Sequence, residues 1–165
     1  MAKISKTAFI ADGAKVLGNV EIGENCGIWY NAVLRGDRDK IVVGDNSNVQ
    51  DCAVLHVDYG KPCIVGEHVT IGHGAIVHAC TVEDEALIGM GATILHGAHI
   101  GKGAMIAAGA LVAMNKEIPP YSLAVGVPAR VVRMLTPEEI EHNKKNAAEY
   151  VAEAWEYRER LSKDR

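Results

Sequence analysis

An aliphatic residue recurs every six positions along most of this chain, and that period constrains the fold more than any other feature. It runs through Ile10, Val16, Ile22, Ile28 and Leu34, then Val43, Val49 and Leu55, then Val65, Ile71 and Val77. It resumes through Val82, Ile88, Ile94, Ile100, Ile106, Val112 and Ile118. Four places after the aliphatic a small residue is usual, as at Ala14, Ala32, Ala53, Ala75, Ala92 and Ala110. Glycine often follows the aliphatic directly, as at Gly23, Gly44, Gly66, Gly72, Gly89 and Gly101. Period-2 strands joined by two-residue turns do not sustain such a repeat, so the pattern implies a parallel β-helix of short strands and tight turns.

The repeat resembles the hexapeptide-repeat superfamily. That resemblance implies an all-β fold, a left-handed parallel β-helix with three hexads per coil, one on each face of a triangular prism. Taking a coil of 18 residues from it, the step from Leu34 to Leu55 is 18 plus 3 and the step from Leu55 to Val77 is 18 plus 4. The excess is expected in two loops, around residues 38–40 and 58–62.

With the loops set aside, Leu34, Leu55 and Val77 stack on one face, so Arg35, His56 and His78 form a single column. A second face stacks Ile28, Val49 and Ile71, with Trp29, Gln50, Gly72 and then Tyr30, Asp51, His73 in the columns beside them. Strands in adjacent coils lie about 4.8 Å apart, which puts the imidazoles of His56 and His78 within reach of one ion. His73 belongs to a different face and is expected to complete such a site across a symmetric interface. Three neutral imidazoles with an open fourth position are the ligand set of catalytic zinc. Iron(II) and cobalt(II) suit the same donors. The plainer reading, surface or interface histidines that only hydrogen-bond, leaves the alignment of His56 with His78 without a purpose.

The stretch Val33-Leu34-Arg35-Gly36-Asp37, then Ser47-Asn48-Val49-Gln50-Asp51, then His56, Thr70-Ile71-Gly72-His73 and Val77-His78 resembles the γ-class carbonic anhydrases. The resemblance covers residues 7–133 and a helix beyond. It implies that His56, His73 and His78 are metal ligands in a homotrimer. It also implies that Arg35 and Asp37 form an inter-subunit ion pair and that Gln50 and Asp51 position substrate and ligand. The implied reaction is reversible hydration of carbon dioxide to bicarbonate by a zinc-bound hydroxide at subunit interfaces. Tyr121, in Pro119-Pro120-Tyr121-Ser122, lies in a segment where related proteins place a tyrosine near the metal. Two features depart from the best-known members. Arg38 stands where they carry glutamate, and no glutamate lies between His56 and Glu67, so their proton-shuttle carboxylates have no counterpart.

Pro119-Pro120 cannot continue a strand ladder, and residues 125–130 read as a turn leading away from the coil. Thr136-Pro137-Glu138-Glu139 is a helix start, with a threonine cap, proline at the first position and glutamate three after the cap. The helix is expected to run to about Leu161, with Ile140, Ala147, Tyr150, Val151, Ala154, Tyr157 and Leu161 facing the prism or a neighbouring subunit. Lys144, Lys145, Glu149, Glu153, Glu156, Arg158, Glu159 and Arg160 are expected to face solvent. The division expected is a repeat domain over 1–133 and a helical element over 134–165.

A formal net charge of -4 with no basic block argues against nucleic acid and anionic membranes as partners. The chain has no long apolar run and no signal-like start, which makes the cytoplasm the default location. Cys26, Cys52, Cys63 and Cys80 show no metal-knot spacing and read as buried hydrophobes or free thiols. Two other functions fit the same prism. One is a non-catalytic metal-binding or scaffold protein. The other is a coenzyme-A-dependent acyltransferase with His96 or His99 as general base, which leaves the histidine column and Gln50-Asp51 unused.

Overall fold

The computed structural model describes residues 2–163. The chain winds into a left-handed β-helix of about seven coils followed by one long helix. Its strands are mostly two or three residues long and pair in parallel, each with the strand one coil earlier and one coil later. The pairing is carried by backbone bonds that repeat coil after coil. Ala11 N donates to Ile28 O at 2.8 Å, Trp29 N to Val49 O at 2.9 Å, Gln50 N to Ile71 O at 2.9 Å and Gly72 N to Ile88 O at 2.8 Å.

The six-residue aliphatics fill the interior. Ile28, Val49, Ile71, Ile88 and Ile106 stack on the first face and Leu34, Leu55, Val77, Ile94 and Val112 on the second, all with no exposed surface. Val43, Val65, Val82, Ile100 and Ile118 line the third and are at most 2% exposed. Branched side chains on such stacked rungs lock into one rotamer and interdigitate, which is why this pattern selects short strands over helix. The chain turns between faces through left-handed backbone. Gly74, Gly91 and Gly109 at one corner have φ of 66°, 65° and 68°, a region that costs other residues about 1 kcal/mol or more.

The turn expected over residues 58–62 is present: Asp58 and Lys61 exchange backbone bonds of 3.1 and 3.0 Å around Tyr59-Gly60. The loop expected over residues 38–40 is not. Strands Lys15–Ile22 and Val33–Val43 run unbroken around a corner and join the second and third faces into one sheet. The extra residues are absorbed as a bulge, where Gly18 pairs with Gly36 but Val20 already pairs with Ile41. A Cβ on Gly18, at φ 82°, would sit 2.2 Å from Gly36 O, so the bulge requires glycine there.

The end of the prism also differs from expectation. Ser122–Val125 continues the first face, pairing in parallel with Met105–Ile106. Residues 126–129 then reverse the chain, and Arg130–Met134 returns as an antiparallel edge strand. Pro128 lies in the reversal, where its missing N–H removes nothing from the ladder.

Helix α1 spans Pro137–Lys163. Its start is a reciprocal cap: Thr136 N donates to Glu139 Oε2 at 2.9 Å and Glu139 N to Thr136 Oγ1 at 3.2 Å. Ala147 and Ala154 are buried, and Tyr150, Tyr157 and Leu161 pack with Phe9, Ala11 and Trp29 on the first face of the same chain. Arg158, expected to face solvent, instead donates to Thr7 O at 2.6 Å and Lys6 O at 2.8 Å, tying α1 to the first coil. Among the described residues no helix is long and apolar enough to cross a membrane.

The cap is pH-sensitive. The Arg133 guanidinium, and then the Thr136 backbone, pull the Glu139 carboxyl from 4.5 to about 2. A depressed folded pKa stabilises above the unfolded value and is lost as pH falls through the folded one. Glu139→Gln should therefore lower the thermal midpoint at pH 7, and the gap from wild type should close between pH 4.5 and about 2. Thermal unfolding of both proteins across that range checks this.

Candidate metal centre

The register places His56 opposite Arg35 on one side and opposite His78 on the other, as the column arithmetic requires. The two imidazoles are 5.2 Å apart between ring centres and tilted 36°. They end the second-face strands Val54–His56 and Ile76–His78, at the corner where the chain turns to the third face. Asp37 Oδ1 lies 2.9 Å from His56 Nε2, and the other oxygen of the same carboxylate pairs with Arg35. Desolvation raises the Asp37 carboxyl, but the bonds from His56 and Arg35 outweigh it and hold it below the usual range. Burial, and then the neighbouring His56, push the His78 imidazole down. A depressed pKa favours the neutral ring that a metal needs.

Asp58 sits close enough to His78 to act on its charge, pairs with Arg38 at 3.4 Å, and is held below the usual carboxylate range by the Tyr59 backbone N–H. Arg38 lies over the Tyr59 ring at 5.1 Å.

His73 lies at another corner, after the first-face strand Thr70–Ile71. Four residues, a turn at Gly74 and then the strand from Ile76, separate it from His78, roughly 10–15 Å of path. Ligand nitrogens sharing one ion at ~2.0–2.1 Å each must lie within about 4 Å of one another. Accordingly no group of three or more metal-capable side chains occurs among the described residues of the single chain. His73 is nevertheless held on every side. Asp51 Oδ2 is 2.9 Å from its Nδ1, Gln50 Oε1 accepts from its backbone N at 3.2 Å, and Tyr150 Oη is 3.5 Å from Nε2. Burial, and then Glu153 and Asp51, push the Tyr150 phenol up, which keeps it a proton donor.

Gln50 is itself fixed. Its Nε2 donates to Asn48 Oδ1 at 3.1 Å, Asn48 Nδ2 donates to Thr70 Oγ1 at 3.1 Å, and Asn146 of α1 donates to the same oxygen at 3.2 Å. A buried polar chain thus runs from the helix to His73. Beside it a groove of about 260 Å³ is lined by Gln50, Leu87, Met90, Met105 and Tyr150.

Three comparisons bear on this arrangement. Family models described as bacterial transferase hexapeptide (six repeats) match residues 1–36 and 79–113, and one described as hexapeptide repeat of succinyl-transferase matches residues 62–95. A Methanocaldococcus jannaschii protein named probable carbonic anhydrase is 57% identical over 90% of this chain and 93% of its own length. The chain belongs to the γ-class carbonic anhydrase family. Gamma carbonic anhydrase 1, mitochondrial, of Arabidopsis thaliana is 48% identical over 89% of this chain, which spans 56% of that longer protein. Among solved structures, a hexapeptide transferase family protein from Anaplasma phagocytophilum superposes with a TM-score of 0.92 at 43% identity, covering 94% of this chain and 92% of that one.

Of the residues singled out in the sequence of this family member, the structure brings Arg35, Asp37, His56 and His78 into one contact set. It brings Gln50, Asp51 and His73 into another. Tyr121 joins neither. It turns the third corner with φ 53°, its ring over Gly103 and its backbone bonded to Lys102 and Leu135. The tyrosine that reaches a histidine is Tyr150, which the helical periodicity had assigned to packing alone. Asn48, Thr70 and Asn146 were also missed. The register of Asn48 against Thr70 was readable from the column beside Val49 and Ile71, whereas the arrival of Asn146 depends on how α1 docks.

Thr70 Oγ1 accepts from the buried Asn48 amide and the half-buried Asn146 amide, so Thr70→Val orphans the first and leaves the second to water. At ~1–3 kcal/mol for an unpaired buried group, the variant should lose about 1–3 kcal/mol, read as a lower denaturant midpoint. Leu87→Ala, further along the same face, should leave the His73 contacts in place.

Proposed function

We propose that this chain hydrates carbon dioxide reversibly as a metal-dependent homotrimer, with His56 and His78 of one copy and His73 of the next forming each site. The observation that carries the reading is the placement of the histidines at opposite edges of one prism face. That face begins after the His73 corner and ends at the His56–His78 corner. Its outward column is Lys15, Val33, Val54, Ile76, Thr93 and Leu111, and Leu17 stands beyond Arg35 in the histidine column. Ile76 and Leu17 are 42% and 50% exposed in the single chain, an apolar surface that association would cover. Packing this face around a three-fold axis sets the His73 edge of each copy against the His56–His78 edge of its neighbour.

The donor set fits zinc: three neutral nitrogens, two of them adjacent coil neighbours, and carboxylates behind the rings. A bound zinc ion supplies the chemistry of an acidified water, with pKa near ~7. The chain's own residues do the rest. Asp51 fixes the His73 ring through Nδ1 and so leaves ligation to Nε2, the nitrogen beside Tyr150. Asp37, steadied by Arg35, orients His56. Gln50 holds the His73 backbone and lies at the groove through which an uncharged substrate can enter. Tyr150, protonated and beside Nε2, is a hydrogen-bond donor to the reacting species. Asp58 and Tyr59 are the acid–base groups on the His78 side of the site. The exposed free thiol of Cys52 suits a reducing, cytoplasmic setting.

Metal analysis, light scattering and carbon dioxide hydration measured together test the reading. A trimer with one metal per chain and metal-dependent hydration is expected. A monomer that keeps its metal overturns the shared site. Metal bound without hydration supports a binding protein instead, and acetyl transfer from acetyl-coenzyme A without hydration supports the transferase reading, in which His99, held by Glu83 at 2.6 Å, is the base.

His56→Ala should abolish metal retention and activity together. Asp51→Asn should weaken metal binding ~10–100-fold, measured by competition with a chelator, because it replaces the charged acceptor at His73 Nδ1 by a neutral amide that can also donate and so no longer fixes the tautomer. Tyr150→Phe should lower hydration more than Tyr121→Phe. With no shuttle glutamate, added imidazole buffer should raise turnover, and turnover independent of buffer would reveal an internal proton relay.

A further inference from the structure

We propose that Cys63 and Cys80 close an intrachain disulfide on exposure to peroxide, a redox-controlled staple between the two coils that carry His56 and His78. The pairing of Ile64 with Thr81 and Val65 with Val82 puts Cys63 directly opposite Cys80, and Ile64 N donates to Cys80 O at 2.9 Å. Both side chains point into the prism, 0% and 2% exposed. The strand spacing of about 4.8 Å lies inside the ~4.4–6.8 Å between Cα atoms that a disulfide spans. Cys63 Sγ lies 3.7 Å from Val77 O, on the strand that leads into Cys80. Neither remaining cysteine is so placed. Cys26 bonds to Gly44 O at 3.1 Å, and Cys52 is exposed at a different corner.

The chemistry closes with one oxidant. Hydrogen peroxide converts one thiol to a sulfenic acid and releases water; the second sulfur then attacks the first, its proton leaving with the hydroxyl as a second water. The sum is two thiols and one peroxide giving one disulfide and two waters. Burial admits only a small oxidant and makes the reaction slower than that of Cys52. An in-register partner captures the sulfenic acid before further oxidation.

The position gives the staple its consequence. His56 leads through the 58–61 turn into Cys63, and His78 leads through Ala79 into Cys80, so the bond would fix the relative height of both histidines from the adjoining face. This follows from coil register and does not depend on the hydratase reading.

The test uses the full chain carrying Cys52→Ser, exposed to hydrogen peroxide in native buffer, quenched, then unfolded in guanidine with an alkylating reagent. No lysine or arginine lies between the two cysteines, so digestion must cut at Glu67 to separate them. The expected product is a Cys63–Cys80 cross-linked peptide pair with Cys26 fully alkylated. The thermal midpoint should rise by roughly 5–10 °C and return on reduction. Cys80→Ala should leave Cys63 uncross-linked. Should either variant fold poorly, wild type with Cys52 alkylated beforehand gives the same readout. Recovery of Cys63 and Cys80 alkylated or as sulfinic acids, after a dose that fully oxidises Cys52 in the wild type, overturns the proposal. So does a cross-link without a rise in midpoint.

Discussion

The backbone ladder between successive coils is the interaction on which the rest of this molecule depends. Because each coil hydrogen-bonds to the next at a fixed spacing, any two residues one coil apart become neighbours, whatever their chemistry. The same register that stacks Val49 on Ile71 in the core stacks Asn48 on Thr70 outside it, Asp51 on His73 at one corner and His56 on His78 at another. Insertions therefore cannot be allowed to shift the phase. The Gly18–Gly36 bulge and the 58–61 turn remove the extra residues from the ladder before the strands on either side resume their pairing.

The helix supplies what a ladder cannot. A β-helix presents three outer faces, and its repeat controls only which residues stack, not what covers them. Helix α1 covers the first face, burying Phe9 and Trp29 beneath Tyr150 and Tyr157 and ending the Gln50–Asn48–Thr70 chain with Asn146. That burial raises the stakes of the polar chain, since each member left unpaired in a water-poor interface costs more than its bond contributes. The helix also delivers Tyr150 to His73, so the packing of a surface element fixes a group at the candidate site.

The stacked columns were legible in the sequence because they follow from counting. Once the coil length is taken from the family resemblance, the neighbour relations of Arg35, His56 and His78, and of Asp51 and His73, need only the positions of Leu34, Leu55, Val77, Val49 and Ile71. The cap at Thr136 and Glu139 was legible for a similar reason, being local. What escaped depends on energies that spacing does not encode. Residues 38–40 could break the strand as a loop or stay within it as an unpaired bulge, and glycine at 18 and 36 made the bulge possible. Residues 126–129 could leave the prism or fold back, and an unpaired edge on the last coil favours the return. Tyr150 was visible as one apolar helix position among several, and only the docking of α1 separates it from Tyr157. The pairing of Cys63 with Cys80 was hidden by the 58–62 insertion, which breaks the six-residue count just before Cys63.

The three faces now differ in what they ask of their surroundings. The first is covered by the chain's own helix. The third mixes glycine and aliphatics with Glu21, Glu83, His99 and Glu117, groups that water or each other can satisfy. The second carries Val33, Val54, Ile76 and Leu111 in its outward column, and its two edges carry the histidines that one chain cannot bring together. On the proposed reading these are one requirement rather than two. Covering the apolar face with another copy is favoured by the hydrophobic effect in proportion to its area. The same contact, repeated around a three-fold axis, is what turns separated histidines into a closed ligand set. Assembly and chemistry would then be selected by the same side chains, and a substitution at Ile76 or Leu17 that loosens the contact would disturb the site without touching a histidine.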